Sequence, residues 1–179
     1  MSLTRKQKKL NSIAHNYIHQ IRDKIGTDLL LIPSVTNIVM DTQKRILLVK
    51  DADSDMWTTP GGGVDPMESP ADAAVREMWE ETGLFSAPIR ILGIYGGHDF
   101  MITYSNGDMV SYVLVAFESR IIGGKMSPDG VETLEAGYFS ESNLAELNLP
   151  TWMQIVLSDA FNHSNTVHFK APTWKPPGV

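Results

Sequence analysis

The chain reads as an α/β fold of one domain, on three observations. Apolar runs rich in β-branched residues and leucine recur between turn signals. Three other segments repeat their apolar residues at three- and four-residue intervals, as helices do. The 179 residues, 42% of them hydrophobic, suffice for one domain with a full core and show no internal repeat.

In chain order, Ile13, Ala14, Tyr17, Ile18, Ile21 and Ile25 form an apolar stripe, and Gly26 follows as a stop. An amphipathic helix over residues 4–25 is expected. Its stripe should dock on its own domain or across a homodimer, while its basic side reads first as a solvated surface. Residues 29–40 and 45–50 predict two strands joined by a hairpin turn at Asp41, Thr42, Gln43 and Lys44. A short strand over 57–59 precedes a glycine turn and a central helix. Beyond that helix, Ile89, Ile91, Leu92 and Ile94 predict a strand, and residues 100–104 pair with 109–117 across an Asn106-Gly107 turn. Residues 131–139 give a last strand. Residues 151–161, behind Pro150, give a helix with Met153, Ile155, Val156 and Ala160 on one stripe. The tail, 171–179, carries Pro172, Pro176 and Pro177 and should run extended. The expected organisation is a helix in 1–27, a domain in 28–170 and the tail.

A net charge of −6 argues against capture of a long nucleic acid, which needs clustered Lys and Arg. Small anionic substrates remain open, because a bound cation overturns local acidity. Without cysteine the fold has neither disulfides nor thiolate ligands, which excludes a disulfide-built secreted scaffold and disfavours soft metals. Arg5, Lys6, Lys8 and Lys9 precede no apolar signal region, and the run over 29–40 is broken by Pro33, Ser34, Thr36 and Asn37. Neither a signal peptide nor a membrane span is read, and the expected location is cytoplasmic.

Chemistry concentrates in residues 60–84. Ser69, Pro70 and Asp72 supply an N-cap, an N1 proline and a capping partner, and Gly83 a left-handed stop, which delimits a helix over 70–82. On it Glu77, Glu80 and Glu81 stand at i, i+3 and i+4. Such crowding costs ~0.2–0.5 kcal/mol per pair in an empty helix. The bland reading is an acidic solvated face; the sharper one is a hard cation. Carboxylates without His or Cys favour Mg2+ or Mn2+, which bridge to phosphates. Gly61, Gly62 and Gly63 let backbone approach phosphate and metal closely, though Gly63 serves equally as a plain turn residue.

Gly62, Glu68 and the run Arg76-Glu77-Met78-Trp79-Glu80-Glu81-Thr82-Gly83-Leu84 fill every fixed position of the Nudix box. The chain resembles the Nudix (MutT-like) hydrolases through Leu147, with the first helix and the tail as additions. The resemblance implies an α/β/α sandwich with a mixed sheet. It also implies a divalent ion on Glu77, Glu80 and Glu81 with a carbonyl of Gly61 or Gly62, and Arg76 orienting the carboxylates. Glu68 lies at the edge of the metal site or pairs with Arg76. Relatives recruit a further glutamate before the last strand, a place that Glu132 fits better than Glu135. Trp57 stands where relatives have a tryptophan, for core packing ahead of base stacking, and His98 reads as a loop residue. Tyr104 lies near the tyrosine of dinucleoside polyphosphate enzymes, whereas His98-Asp99-Phe100-Met101 lacks the proline of ADP-ribose enzymes. The implied reaction is attack of water on phosphorus in a nucleoside diphosphate linked to a group X, or in a nucleoside triphosphate. The alternative is an inactive Nudix-like nucleotide-binding or regulatory domain, disfavoured because no box carboxylate is missing. Prenyl diphosphate isomerisation is disfavoured by the lack of cysteine. The substrate stays open, since loops outside the box choose it.

Overall fold

In a computed structural model, residues 13–162 and 165–178 are described. Helix α1 spans Ile13–Ile25; residues 4–12 of the helix expected from the sequence lie outside the described residues. Gly26 ends it at φ 59°, its N–H bonding Arg22 O at 2.7 Å. Its stripe is not a closed seam, for Tyr17 is 47% exposed and Ile18, Ile21 and Ile25 are only partly buried. A guanidinium fastens the helix end instead. Arg22 Nη1 donates to the carbonyls of Gly26 and Asp28, Nη2 donates to Met109 O at 2.9 Å, and Nε lies 3.6 Å from Asp108.

Strand β1, Leu30–Ile38, leads through the expected hairpin to β2, Ile46–Asp51. The turn closes with Asp41 N on Arg45 O at 2.9 Å and a Met40–Ile46 bridge. Its two arms enter different sheets, so the hairpin is a corner. Strand β2 lies between β3, Trp57–Thr58, and β8, Thr133–Phe139, in a three-stranded antiparallel sheet.

The larger sheet is mixed. It contains β4, Gly61–Gly63; β5, Leu84–Tyr95; β6, Met101–Thr103; β7, Met109–Gly124; and β9, His168–Phe169. Its order is β4-β1-β7-β5-β9, with β6 also on β7. Strand β1 runs parallel to β7, and β4 and β5 run antiparallel to their partners β1 and β7. Strand β5 begins five residues earlier than its apolar run suggests and absorbs Pro88 through register shifts, as bulges allow. A short 3-10 helix over His98–Phe100 takes the start of the strand expected at 100. Strands β4 and β9 are unforeseen, as is a 3-10 turn at Glu141–Glu146.

Alternation along the strands builds two helix-bearing faces. Helix α2, Pro70–Thr82, covers one face, its Ala73 and Ala74 meeting Val35 and Phe117, and its Met78 meeting Val39, Leu47 and Leu84. Helix α3, Thr151–Phe161, covers the other, where Met153, Val156 and Leu157 pack among Ile38, Ile46, Leu48 and Leu114. That is the α/β/α sandwich, and β2 of the second sheet meets both helices, Leu47 on one side and Ile46 and Leu48 on the other. The tail has no regular structure before a turn at Pro177 and Gly178.

Candidate active site

Local chemistry fixes α2 at both ends. Ser69 is extended, its Oγ accepts the Asp72 N–H at 3.2 Å, and Pro70 starts the helix. Gly83, at φ 71°, returns its N–H to Trp79 O. The cradle under the helix centres on Asn37, which is fully buried. Its Nδ2 donates to Pro60 O and, at 2.9 Å, to Ala74 O in α2, while Oδ1 accepts from Ser119 Oγ at 2.8 Å. One amide thus ties β1, β7, the start of the glycine turn and the box helix together.

Arg76 organises the acidic face. Its Nε and Nη2 fork onto the two oxygens of Glu68, both at 2.9 Å, and Nη2 also donates to Gly63 O. Nη1 donates to Glu77 Oε1 at 2.8 Å and to Glu80 Oε2 at 3.1 Å, and Asp65 Oδ1 lies 3.9 Å from Nη2. Burial opposes ionisation of Glu68, but the Arg76 guanidinium and the Asp65 N–H outweigh it and hold its carboxyl below the usual range. Burial likewise works against the Arg76 charge, and Glu68 and Glu77 reverse this, raising its pKa above the ordinary value.

Strand β4 sits against this face. The Gly61 N–H donates to Glu81 Oε2 at 3.1 Å. A Cβ on Gly62 would lie 2.5 Å from Glu77 Oε1 and 2.9 Å from Oε2, so the backbone there fits against both oxygens of a carboxylate that is 3% exposed. Gly61, Gly62, Glu68, Arg76, Glu77, Glu80 and Glu81 therefore form one cluster. The donor set is all oxygen and strongly anionic, since Asp65, Glu68, Glu77 and Glu80 share one guanidinium. That chemistry suits a hard cation, and the room at Gly62 is filled by any larger residue. Among the described residues, however, no three acidic or histidine side chains are already gathered as a ligand shell. Nη1 of Arg76 draws Glu77 and Glu80 to itself, so a cation has to compete with it for their oxygens.

Next to β4 opens a cavity of about 190 Å3. Gly61, Gly62 and Gly63 form one wall, and Phe100, Tyr104, Tyr112 and Trp152 also line it. Trp57 does not line it; its ring packs edge-on to Phe139 at 4.7 Å, against the core. His98 opens the 3-10 turn. Glu132 stands at the entry to β8, where Asp129 Oδ1 accepts the N–H groups of Val131, Glu132 and Thr133, and its carbonyl accepts from Ala52 N. Glu135 is exposed and 3.9 Å from Lys50.

Sequence reasoning missed Asn37 and Tyr112. The signal for Asn37 was its place inside an apolar run, since a polar residue buried there must be satisfied. For Tyr112 no such signal exists: the hairpin register pairs Met101 with Ser111 and Thr103 with Met109, and only the long side chains bring the Tyr104 and Tyr112 hydroxyls together.

A family model described as NUDIX domain matches residues 30–159. A protein of Bacillus subtilis (strain 168) named "Putative 8-oxo-dGTP diphosphatase" is 36% identical over 113 residues, covering 63% of this chain and 69% of that protein. Diphosphoinositol polyphosphate phosphohydrolase 2 of Homo sapiens is 42% identical over 60 residues, but the match spans only 33% of either chain. Among solved structures, a UDP-X diphosphatase superposes with a TM-score of 0.62 at 18% identity, covering 86% of this chain and 74% of that one. An ADP-ribose pyrophosphatase of Streptococcus suis 89-1591 gives 0.58 at 26% identity, covering 76% and 96%.

Proposed function

This chain belongs to the NUDIX domain family, a family of phosphoric-anhydride hydrolases, and from that premise we propose that it is a divalent-metal-dependent pyrophosphohydrolase of small nucleotides. The substrate is a nucleoside diphosphate linked to X or a nucleoside triphosphate. The observation that carries this reading is Gly62 seated against the Glu77 carboxylate beside a face of further glutamates. In it, Glu77, Glu80, Glu81 and the Gly61 or Gly62 carbonyl would hold Mg2+ or Mn2+, Glu68 anchors Arg76, and Arg76 orients the carboxylates. When bound, such an ion would supply a water of lowered pKa and neutralise phosphate charge. Gly61 N–H keeps Glu81 turned toward the glycine turn. Water attacks phosphorus, the bridging P–O bond breaks, and two phosphorylated products leave. The relatives' printed names, an 8-oxo-dGTP diphosphatase and a UDP-X diphosphatase, support this substrate class without selecting within it. A cytoplasmic location accords with it, and among the described residues no helix is long and apolar enough to cross a membrane.

Hydrolysis of a panel of nucleoside triphosphates and diphosphate conjugates is expected with Mg2+ or Mn2+ and is expected to vanish in EDTA. Metal-independent turnover, or inactivity across the panel, counts against the reading. A nucleotide-binding domain without turnover is the second reading, favoured by the hold of Arg76 on Glu77 and Glu80; it expects binding of the same panel and no products.

Glu132 we assign to placing or activating the attacking water. Glu132→Gln should lower kcat by roughly a hundredfold or more, on the scale of general-base effects, with Glu135→Gln near wild type; the reverse order moves the role to Glu135.

A further inference from the structure

The cavity beside β4 has its own chemistry. Four aromatic side chains, Phe100, Tyr104, Tyr112 and Trp152, line it, and hydroxyl groups, Ser34 and Thr36 among them, supply its other polar surface. Its lining contains no Lys, Arg or His among the described residues. The Tyr104 and Tyr112 hydroxyls lie 2.6 Å apart. When one donates to the other, the pair keeps one O–H and spare lone pairs, and the chain reverses to suit a donor or an acceptor. Burial, with Tyr104 alongside, pushes the Tyr112 phenol above its ordinary range, so it stays a neutral hydroxyl at physiological pH.

An aromatic, hydroxyl-bearing cavity without cations takes a planar uncharged heterocycle and gives nothing to a phosphorylated ring. Because its wall is the glycine turn that flanks the carboxylates, the group inside belongs to the same molecule as the phosphates. Resting on the hydrolase reading above, we propose that this cavity holds the nucleobase, that the Tyr104–Tyr112 hydroxyl pair reads its hydrogen-bonding edge, and that polyphosphorylated X groups are excluded from it.

Trp152, in the cavity wall 6.2 Å from the Phe100 ring, is a built-in reporter. The test titrates the full chain in EDTA with adenosine, guanosine, cytidine, uridine and myo-inositol hexakisphosphate, following tryptophan fluorescence, with Trp152→Phe as the reporter control. At least one nucleoside should change the Trp152 signal saturably, and the inositol polyphosphate should not. Tyr104→Phe and Tyr112→Phe should each weaken that nucleoside roughly three- to tenfold, the range of one neutral hydrogen bond. With the matching nucleotide, Mg2+ and the same variants, KM should rise more than kcat falls. The proposal is overturned by a Trp152 signal that no nucleoside moves, by unchanged affinity in both variants, or by saturable binding of the inositol polyphosphate at Trp152. No step of the titration requires turnover, so its failure leaves hydrolysis standing, and a failed hydrolysis panel leaves the titration readable.

Discussion

Glu81→Gln is expected to lower metal-dependent turnover by at least roughly a hundredfold, about 2.7 kcal/mol of transition-state stabilisation, while leaving the protein's melting curve in EDTA almost unmoved. The amide keeps the side chain's size and nearly its helix propensity, and its oxygen still accepts the Gly61 N–H now bound at 3.1 Å. One negative charge leaves a crowded helix face, worth at most ~0.5 kcal/mol per relieved pair. Turnover and stability without metal therefore separate. Glu80→Gln is a poorer probe, because Glu80 shares Nη1 of Arg76 with Glu77, so its loss also disturbs a structural ion pair. An acidic face with only a solvated role expects no kinetic change at Glu81, and a purely structural network expects unfolding with any loss of activity. Undiminished turnover, or a melting temperature in EDTA that falls by several degrees, would remove Glu81 from the site.

The second large effect comes from two adjacent glycines that one methyl group should affect in opposite ways. At Gly61 an added Cβ falls onto the Val35 carbonyl and lies 2.7 Å from Thr36 Cα, so the β1 backbone itself has to move. Overpacking of this kind costs ~1–3 kcal/mol or more, and each kcal/mol lowers the melting temperature of a chain this size by roughly 2–4 °C. Gly61→Ala should thus be markedly less stable. At Gly62 the three atoms nearest the Cβ all belong to the end of the Glu77 side chain, its Cδ at 2.6 Å. That carboxylate can swing, at the expense of its 2.8 Å bond to Arg76, and once swung it no longer faces the glycine turn. Gly62→Ala should fold nearly as well as wild type and lose turnover by roughly a hundredfold, the scale of one electrostatic contact in a site. Full activity in Gly62→Ala, or equal stability losses in the two variants, would contradict this geometry. Circular dichroism melts beside kinetic assays distinguish these outcomes.

What the sequence made legible follows the range of the interactions involved. Helix α2 was readable to its last residue because Ser69, Pro70 and Gly83 act within one turn of the ends they define. Helix α3 was readable because its stripe is periodic. The turn at Asp41 was readable too, but not the parting of its arms into two sheets. The main partner of β1 is β7, and no local pattern names a partner so distant. Strand β4 escaped notice because three glycines carry no side-chain alternation; it exists through backbone pairing with Ser34, Val35 and Thr36. The box glutamates were legible as a cluster, whereas the sharing of Arg76 among Asp65, Glu68, Glu77 and Glu80 depends on the fold of the loop before α2. Trp57, with its two readings, took the packed one on Phe139. Asn37 is satisfied by Ser119 on β7 and Tyr112 by the Tyr104 hydroxyl, contacts that only the assembled fold supplies.

The parallel pairing of β1 with β7 also sets an order in time. Leu30 faces Val110 and Ile38 faces Glu118, so every rung joins residues eighty positions apart along the chain. Local helices form within microseconds, but closing so long a loop spends entropy before any rung repays it, which slows folding. During synthesis at ~5–20 residues per second, β1 leaves the ribosome on the order of ten seconds before its partner. In that interval the acidic helix can already be wound, while Asn37 lacks Ser119 and Val35 lacks Phe117. The cradle under the acidic face is thus assembled late, by the arrival of a strand that carries none of the box glutamates. A chain released before β7 exposes an apolar, unpaired β1 edge, the kind of surface on which aggregation begins.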